Sequence, residues 1–347
     1  MKSLRYLCLC FTLLSLLLTG CNQGSRKTTV AFVTNNNAEF WTIGEVGALE
    51  AGEKFGVDVI VKKPDVAGVS GQKKIIDPLL IRGIDALGLS VFDPENQVDY
   101  IDKIGKDIPV VAFDNDAEKS KKRLCYIGTD NFSAGQEVGK LVKEAIPDGG
   151  IVVIFVGQIQ PINAQRRWKG VLKEVFGTTD STKAETKKYE LFGEGPQKLP
   201  FTDDAKPDVA KKKADYVVGL LSKKIKAGRP VCMVGLWAYN PPAIMQALRP
   251  EKLLGTVKIV AMDEDRETLK GIKKGWVHGT VVQDPYKFGY ETVRVLASLA
   301  KGDKKVLDGP EFEGDMKKYY IPHRTFRQNN VDELKAEVED YLKRAPK

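Results

Sequence analysis

The stretch Thr29-Val-Ala-Phe-Val-Thr34, followed at once by Asn35-Asn-Asn-Ala-Glu-Phe-Trp41, decides how the rest of the chain is read. A continuous apolar run without polar alternation is the pattern of a strand covered on both faces, as in a parallel sheet. Residues 40–55 then place Ile43, Val46, Gly47, Leu49 and Ala51 toward one side and stop at Gly56, which predicts a helix with a glycine end. Asp58-Val-Ile-Val61 is the next strand. Strand, helix, strand in this order is the unit from which parallel sheets are built, because parallel neighbours need a crossover between them.

The unit recurs along the chain. Helix 69–82 carries Ile75, Ile76, Leu79 and Leu80 on one face, and strands 86–89 and 109–113 flank a helix at 96–104. Strand 125–128 and helix 133–145 follow. A second series starts with Ile151-Val-Val-Ile-Phe-Val156 and helix 163–176. It continues with strand 186–191, a polar loop at 193–207, helix 208–226, strand 231–236, helix 241–248, strand 257–262, helix 266–274, strand 277–282 and helix 286–301. A strand near 317–324 and a helix at 331–344 end the chain. These are too many units for one sheet of ordinary size. The expected fold is α/β, with two doubly wound parallel-sheet lobes.

Ligands of such sheets bind at the carboxyl ends of the strands. Here those ends deliver Asn35-Asn36-Asn37 with Phe40 and Trp41, then Asp114-Asn115-Asp116, then Asn163 and Gln165 beyond Gly157. Further on come Trp237-Ala-Tyr239-Asn240, Asp263-Glu-Asp265 and Gln283-Asp284-Pro285. Taken singly each has an ordinary explanation. Asp114 and Asp263 fit helix caps or turns, Phe40 and Trp41 fit a core, and Asp263-Glu-Asp265 fits a cation. Taken together they suit a neutral polyol or sugar. Carboxylates accept charge-assisted bonds from hydroxyls, amides donate and accept at once, and aromatic rings cover flat C–H faces.

The first residues exclude much else. Met-Lys-Ser-Leu-Arg5 carries two positive charges, Tyr6 to Leu18 is apolar, and Leu18-Thr-Gly-Cys21 closes the segment. That is the layout of an export signal at 1–20, too short to span a bilayer comfortably. Its end resembles a bacterial lipobox, which implies lipidation of Cys21, a polar tether over 21–27, and a periplasmic or cell-surface protein anchored in the membrane. Of five cysteines, only Cys125 and Cys232 fall in the folded body, each in an apolar strand, as buried thiols or one disulfide. Neither His278 nor His323 has a cysteine or another histidine close by in sequence, so no metal site of the usual spacing is expected. The net charge of +8 comes from scattered lysine runs such as Lys211-Lys-Lys213, which fit solvated faces or contact with anionic lipid head groups. Export argues against nucleic acid as a partner.

With these residues in place, the chain resembles the ribose-binding branch of the periplasmic sugar-binding proteins from about Thr28 to Gly302. The resemblance rests on Val30-Ala-Phe-Val-Thr-Asn-Asn-Asn37, Pro109-Val-Val-Ala-Phe-Asp114, Gly128-Thr-Asp-Asn131, Val260-Ala-Met-Asp263 and Gly279-Thr-Val-Val-Gln283-Asp-Pro-Tyr-Lys-Phe-Gly289. It implies the type I periplasmic binding protein fold, two lobes joined by a three-crossover hinge. The crossovers are expected near 130–132, 283–285 and 310–316. The lobes are then 28–130 plus 284–311 and 131–283 plus 312–345. The resemblance implies ligand contacts at Asn37, Phe40, Asp114, Asp263 and Gln283, joined by Trp41, Asn115, Asn163, Gln165, Trp237, Tyr239 and Asn240. Three positions depart from the ribose pattern. Asn115 and Gln165 stand where arginines are usual, with Arg166 and Arg167 adjacent, and Glu39 replaces an aromatic. Repressors that share this lobe pair begin with a helix-turn-helix, where this chain has its export signal.

The expected function is a monomeric, cofactor-free solute receptor. It closes on a sugar-like ligand and delivers it to the membrane permease of an ABC importer. A ligand-sensing receptor for a sensor kinase or chemoreceptor is the alternative. An enzyme is not expected, since beyond a possible Asp114 and Asp263 carboxylate pair the chain has no nucleophile motif and no Gly-rich phosphate loop.

Overall fold

A computed structural model describes residues 26–346 apart from residue 67. The export signal at 1–20 and the lipidation site at Cys21 lie outside the described residues, as does most of the 21–27 tether. Strands and helices are numbered here in chain order. The first sheet holds β1 (Thr29–Val33), β2 (Asp58–Lys62), β3 (Ala86–Leu89), β4 (Val110–Phe113), β5 (Arg123–Gly128) and β12 (Lys318–Tyr320), in the order β12-β5-β4-β3-β1-β2. Every neighbouring pair in it is parallel. The second sheet holds β6 (Gly150–Val156), β7 (Tyr189–Phe192), β9 (Val231–Gly235), β10 (Lys258–Met262), β11 (Gly279–Val282) and β13 (Arg324–Arg327). Its order, β13-β11-β10-β9-β6-β7, repeats that of the first, with β13 antiparallel and β8 (Phe201–Thr202) beside β6.

Helices cover both faces of each sheet, as the unbroken apolar strands require. On the first sheet, α1 (Glu39–Phe55) and α9 (Pro285–Ala300) share one face, and α2 (Val69–Ile81) and α3 (Val98–Ile104) the other. On the second, α4 (Asn131–Ala145) and α5 (Ile162–Phe176) share one face. The other carries α6 (Pro207–Lys226), α7 (Asn240–Leu248), α8 (Arg266–Lys273) and α10 (Val331–Arg344). The two helix pairs nearest the hinge pack backbone to backbone. A Cβ on Gly289 of α9 would sit 1.9 Å from the Gly44 carbonyl of α1, and one on Gly170 of α5 would sit 2.3 Å from the Phe132 carbonyl of α4.

The chain crosses between lobes three times. The first crossing follows β5 at Thr129–Asp130, where the Asp130 carboxylate caps α4. The second joins β11 to α9 through Gln283–Asp284, and Asp284 caps α9. The third differs from the expectation of 310–316. The single strand expected near 317–324 is two strands in two sheets: Lys318–Tyr320 pairs with β5 and Arg324–Arg327 pairs with β11. Residues 312–320 therefore belong to the first lobe, not the second, and the crossing is Ile321–His323. Pairing to β5 is what overrides the expected boundary, and Phe312 and Tyr319 pack on the first lobe's core.

Cys125 and Cys232 are both free and buried, one under each sheet. Helix α10 buries Val331, Leu334 and Val338 in the second lobe. Its last turn reaches the first lobe, where Tyr341 stacks on Tyr286 at 4.8 Å and Arg344 pairs with Glu50 at 3.1 Å.

Candidate functional site

The carboxyl ends of both sheets face one another across a cleft. Asp114 directly follows β4 and Asp263 directly follows β10, the corresponding strands of the two sheets. Both residues have left-handed backbone, φ 58° and 71°, which aspartate tolerates better than most residues. The neighbouring strand enforces this turn in each lobe: Asp114 N–H donates to Ile127 O at 3.0 Å and Asp263 N–H to Val281 O at 2.9 Å. Each side chain is thereby delivered to the cleft rather than to a helix cap.

Both carboxylates are almost fully buried. Asp114 Oδ2 accepts from Ser90 Oγ at 2.9 Å and from Asn35 Nδ2 at 3.3 Å. Asp263 Oδ1 accepts from Gln283 Nε2 at 3.0 Å, and its Oδ2 lies 3.7 Å from Arg167 Nη1. Arg167, itself buried, donates to Asn131 Oδ1 at 2.7 Å and Leu236 O at 3.0 Å. Two polar atoms of this cluster, Arg167 Nη2 and Gln283 Oε1, have no hydrogen-bond partner among the described residues, whereas buried polar groups are normally paired.

Burial pushes the Asp114 carboxyl up to about 6, against the pull of Arg167, with Asp263 adding to the rise. Burial likewise raises Asp263, with Arg167 and Gln283 opposing it. The folded state therefore holds the Asp114 proton more tightly than the unfolded chain does. The stability this provides is complete below 3.8, the ordinary value, and is lost as pH climbs through about 6. Urea unfolding of ligand-free wild type and Asp114→Asn at pH 4 and pH 7 should show wild type losing ground by about 2 kcal/mol across that interval. A pH-independent difference between the two proteins would contradict the assignment.

Aromatic side chains complete the cleft. Phe40 and Trp41 line it from the first lobe, Trp237 and Tyr239 from the second. Trp41 meets Phe40 edge-on at 4.8 Å and is fixed by its indole N–H, which donates to Asn35 Oδ1 at 3.1 Å. Trp237 lies against Gly157, where any Cβ would come within 2.1 Å of the indole ring. The lobes also touch across the opening: Arg266 forms a fork to Glu39 at 2.8 Å, and Asn163 N–H reaches Asn115 Oδ1 at 3.4 Å. About 100 Å³ remains open between them. Larger hollows exist beside Pro147 and Pro230 (about 290 Å³) and between α8 and α10 (about 440 Å³). Neither joins the two lobes or gathers buried carboxylates.

Eight expected site residues line this cleft: Phe40, Trp41, Asp114, Asn163, Trp237, Tyr239, Asp263 and Gln283. Four do not. Asn37 is exposed, because Thr34 Oγ donates to Asn36 O and turns the segment so that Asn35 and Asn36 face inward. Gln165 bonds Gln160 O on the outer side of α5. Asn163 and Arg167 are four residues apart and share the inner face that Gln165 cannot reach. Asn115 is buried and ties its amide to Val91 O, and Asn240 turns to Asp203 at 2.9 Å. Asp265 caps α8 instead of joining a cation site, and no group of three metal-ligating side chains occurs among the described residues. Asn35 and Arg167, which the sequence places beside expected contacts without assigning them, belong to this cluster, and the spacing of Arg167 to Asn163 marks it; Ser90 and Asp203 carry no such signal.

A family model described as a periplasmic binding protein domain matches residues 29–304. The chain is 24% identical over 314 residues to the fructose import binding protein FruE of Bifidobacterium longum, covering 88% of this chain and 86% of that one. It is 27% identical over 279 residues to the D-galactose/methyl-galactoside binding periplasmic protein MglB of Haemophilus influenzae, covering 76% and 78%. In structure it is similar to an ABC transporter solute-binding protein from Burkholderia graminis, solved with D-arabinose. That match has TM-score 0.75 and 22% identity over 87% of this chain and 96% of the other.

Proposed function

We propose that this chain, which belongs to the periplasmic binding protein family, binds a sugar in the cleft between its lobes and hands it to an ABC-type permease from a lipid anchor at Cys21. The observation that carries this reading is the pairing of Asp114 and Asp263 at corresponding strand ends, facing one another among Phe40, Trp41 and Trp237. Each carboxylate accepts from two ligand hydroxyls, and the rings cover the C–H faces between them. A ligand held from both sides favours the closed form over the open one. A receptor resting 1% closed needs roughly a 10⁴-fold preference to become 99% closed. Micromolar affinity, about −8 kcal/mol, is within reach of several charge-assisted bonds and stacked rings.

One matched relative is an import binding protein and another a galactose-binding periplasmic protein, which favours import over signalling. The two carboxylates are engaged by Ser90, Asn35, Gln283 and Arg167, which fix them as acceptors for a bound polyol, and the matched relatives are binding proteins, which favours binding without turnover. A thermal-shift screen of the protein against D-ribose, D-arabinose, D-galactose, D-fructose and linear polyols tests the proposal. A bound sugar at 100 times its Kd adds about 2.7 kcal/mol and raises the Tm visibly. No shift with any of these compounds would overturn the sugar reading.

A further inference from the structure

We infer that Asp203 is a positioning residue of the cleft: its buried carboxylate holds the Trp237–Tyr239 segment in place as the aromatic wall of the second lobe. The inference rests on reading the cleft as the ligand site. Asp203 follows β8, at the end of the polar segment 193–207. It is 2% exposed and has no ion-pair partner among the described residues. Its two oxygens are divided between Tyr239 of the wall and the adjoining Asn240. Oδ1 accepts from the Tyr239 hydroxyl at 2.6 Å, and Oδ2 accepts from Asn240 Nδ2 at 2.9 Å. The other end of that amide, Asn240 Oδ1, accepts from Trp237 N–H at 3.0 Å. One carboxylate thus fixes both ends of a three-residue segment whose rings line the cleft.

The backbone around Asp203 is shaped for the same purpose. Asp203 N–H and Ala205 N–H both donate to Gly157 O, at 3.1 and 3.3 Å. Gly157 is the residue against which the Trp237 ring rests. Two consecutive non-glycine residues, Asp204 and Ala205, take φ of 55° and 59° to make this turn. Such conformations persist where the surroundings over-determine them, and they gather at ligand clamps. The ordinary role for an aspartate just before a helix is an N-cap, but α6 is capped at Lys206 with no side-chain bond. A carboxylate is costly to bury without a counter-charge, and burial raises that of Asp203 to about 6, so it is ionised and accepting both bonds at neutral pH.

The test reads Trp237 alone, in ligand-free full-length protein. Acrylamide quenching is measured in wild type, Asp203→Ala, Asp203→Asn and Tyr239→Phe, each against its matched Trp237→Phe partner. The quenching constant of Trp237 should rise about twofold in Asp203→Ala and less in Asp203→Asn, which keeps one acceptor oxygen. Affinity for whichever of D-ribose, D-arabinose, D-galactose or D-fructose shifts the wild-type Tm should fall about tenfold. If Asp203→Ala fails to fold, Tyr239→Phe decides, since it keeps the ring and the carboxylate and removes only the bond. Unchanged Trp237 quenching would overturn the inference, even alongside weaker sugar binding. If none of these sugars binds wild type, the ligand reading fails on its own, and the quenching result still decides the role of Asp203.

Discussion

Asp263→Asn should bind its sugar at least ~100-fold more weakly than wild type while keeping its fold. The carboxylate is placed to take two hydroxyl bonds, each worth about 1.5–3 kcal/mol when the acceptor is charged. Losing the charge removes most of both, and ~100-fold corresponds to about 2.8 kcal/mol. Asparagine is the informative substitution. It preserves the bond from Gln283 Nε2 and tolerates the φ of 71°. Both substitutions remove the charge that faces the buried Arg167 guanidinium 3.7 Å away, but asparagine keeps a polar side chain in that space whereas alanine would also empty it. Titration calorimetry with circular dichroism on the same sample checks the expectation. Wild-type affinity in a folded Asp263→Asn protein would remove Asp263 from the site.

The largest effect on folding is expected from Gly289→Val. The first Cβ atom would lie 1.9 Å from Gly44 O and 2.8 Å from Ala48 N, both backbone atoms of α1. Neither helix can yield without separating, and α9 carries Phe288, Val293 and Leu296 into the first lobe's core. A loss of about 4–5 kcal/mol or more follows, at the upper end for single substitutions. Urea unfolding reads it directly, or the protein fails to accumulate in soluble form. Gly219→Ala is the control. Gly219 sits within α6 with nothing near its missing Cβ, so alanine there should leave stability unchanged or raise it by about 1 kcal/mol. Equal effects at the two positions would mean that helix propensity, not close approach, sets the cost.

Most of the α/β alternation was legible because buried parallel strands announce themselves as uninterrupted apolar runs. Val30–Val33, Ile151–Val156 and Ile259–Met262 need no long-range information to be recognised. The third crossover was not legible for the opposite reason. Lys318–Tyr320 and Arg324–Arg327 are three and four residues long, and only their partners, β5 and β11, tell them apart. The site divides along the same line. Asp114, Asp263 and Gln283 could be found because a strand's last residue is marked by where its apolar run stops. The choice among Asn35, Asn36 and Asn37 depends on a turn made by the Thr34 hydroxyl, which composition does not encode. Asp203 was hidden in an irregular loop, its partners 36 and 37 residues further along.

The interleaving of the lobes also sets a timetable. The first lobe lacks α9, which packs on α1, and β12, which pairs with β5, until Tyr320 has been made. A chain emerging from the ribosome thus carries β1 to β5 with one face covered by α1 alone until α9 has been made. Contacts of such sequence separation are slow to form, and an incomplete core stays loose. Late completion keeps the chain open to any machinery that acts on unfolded polypeptides until the last strands arrive.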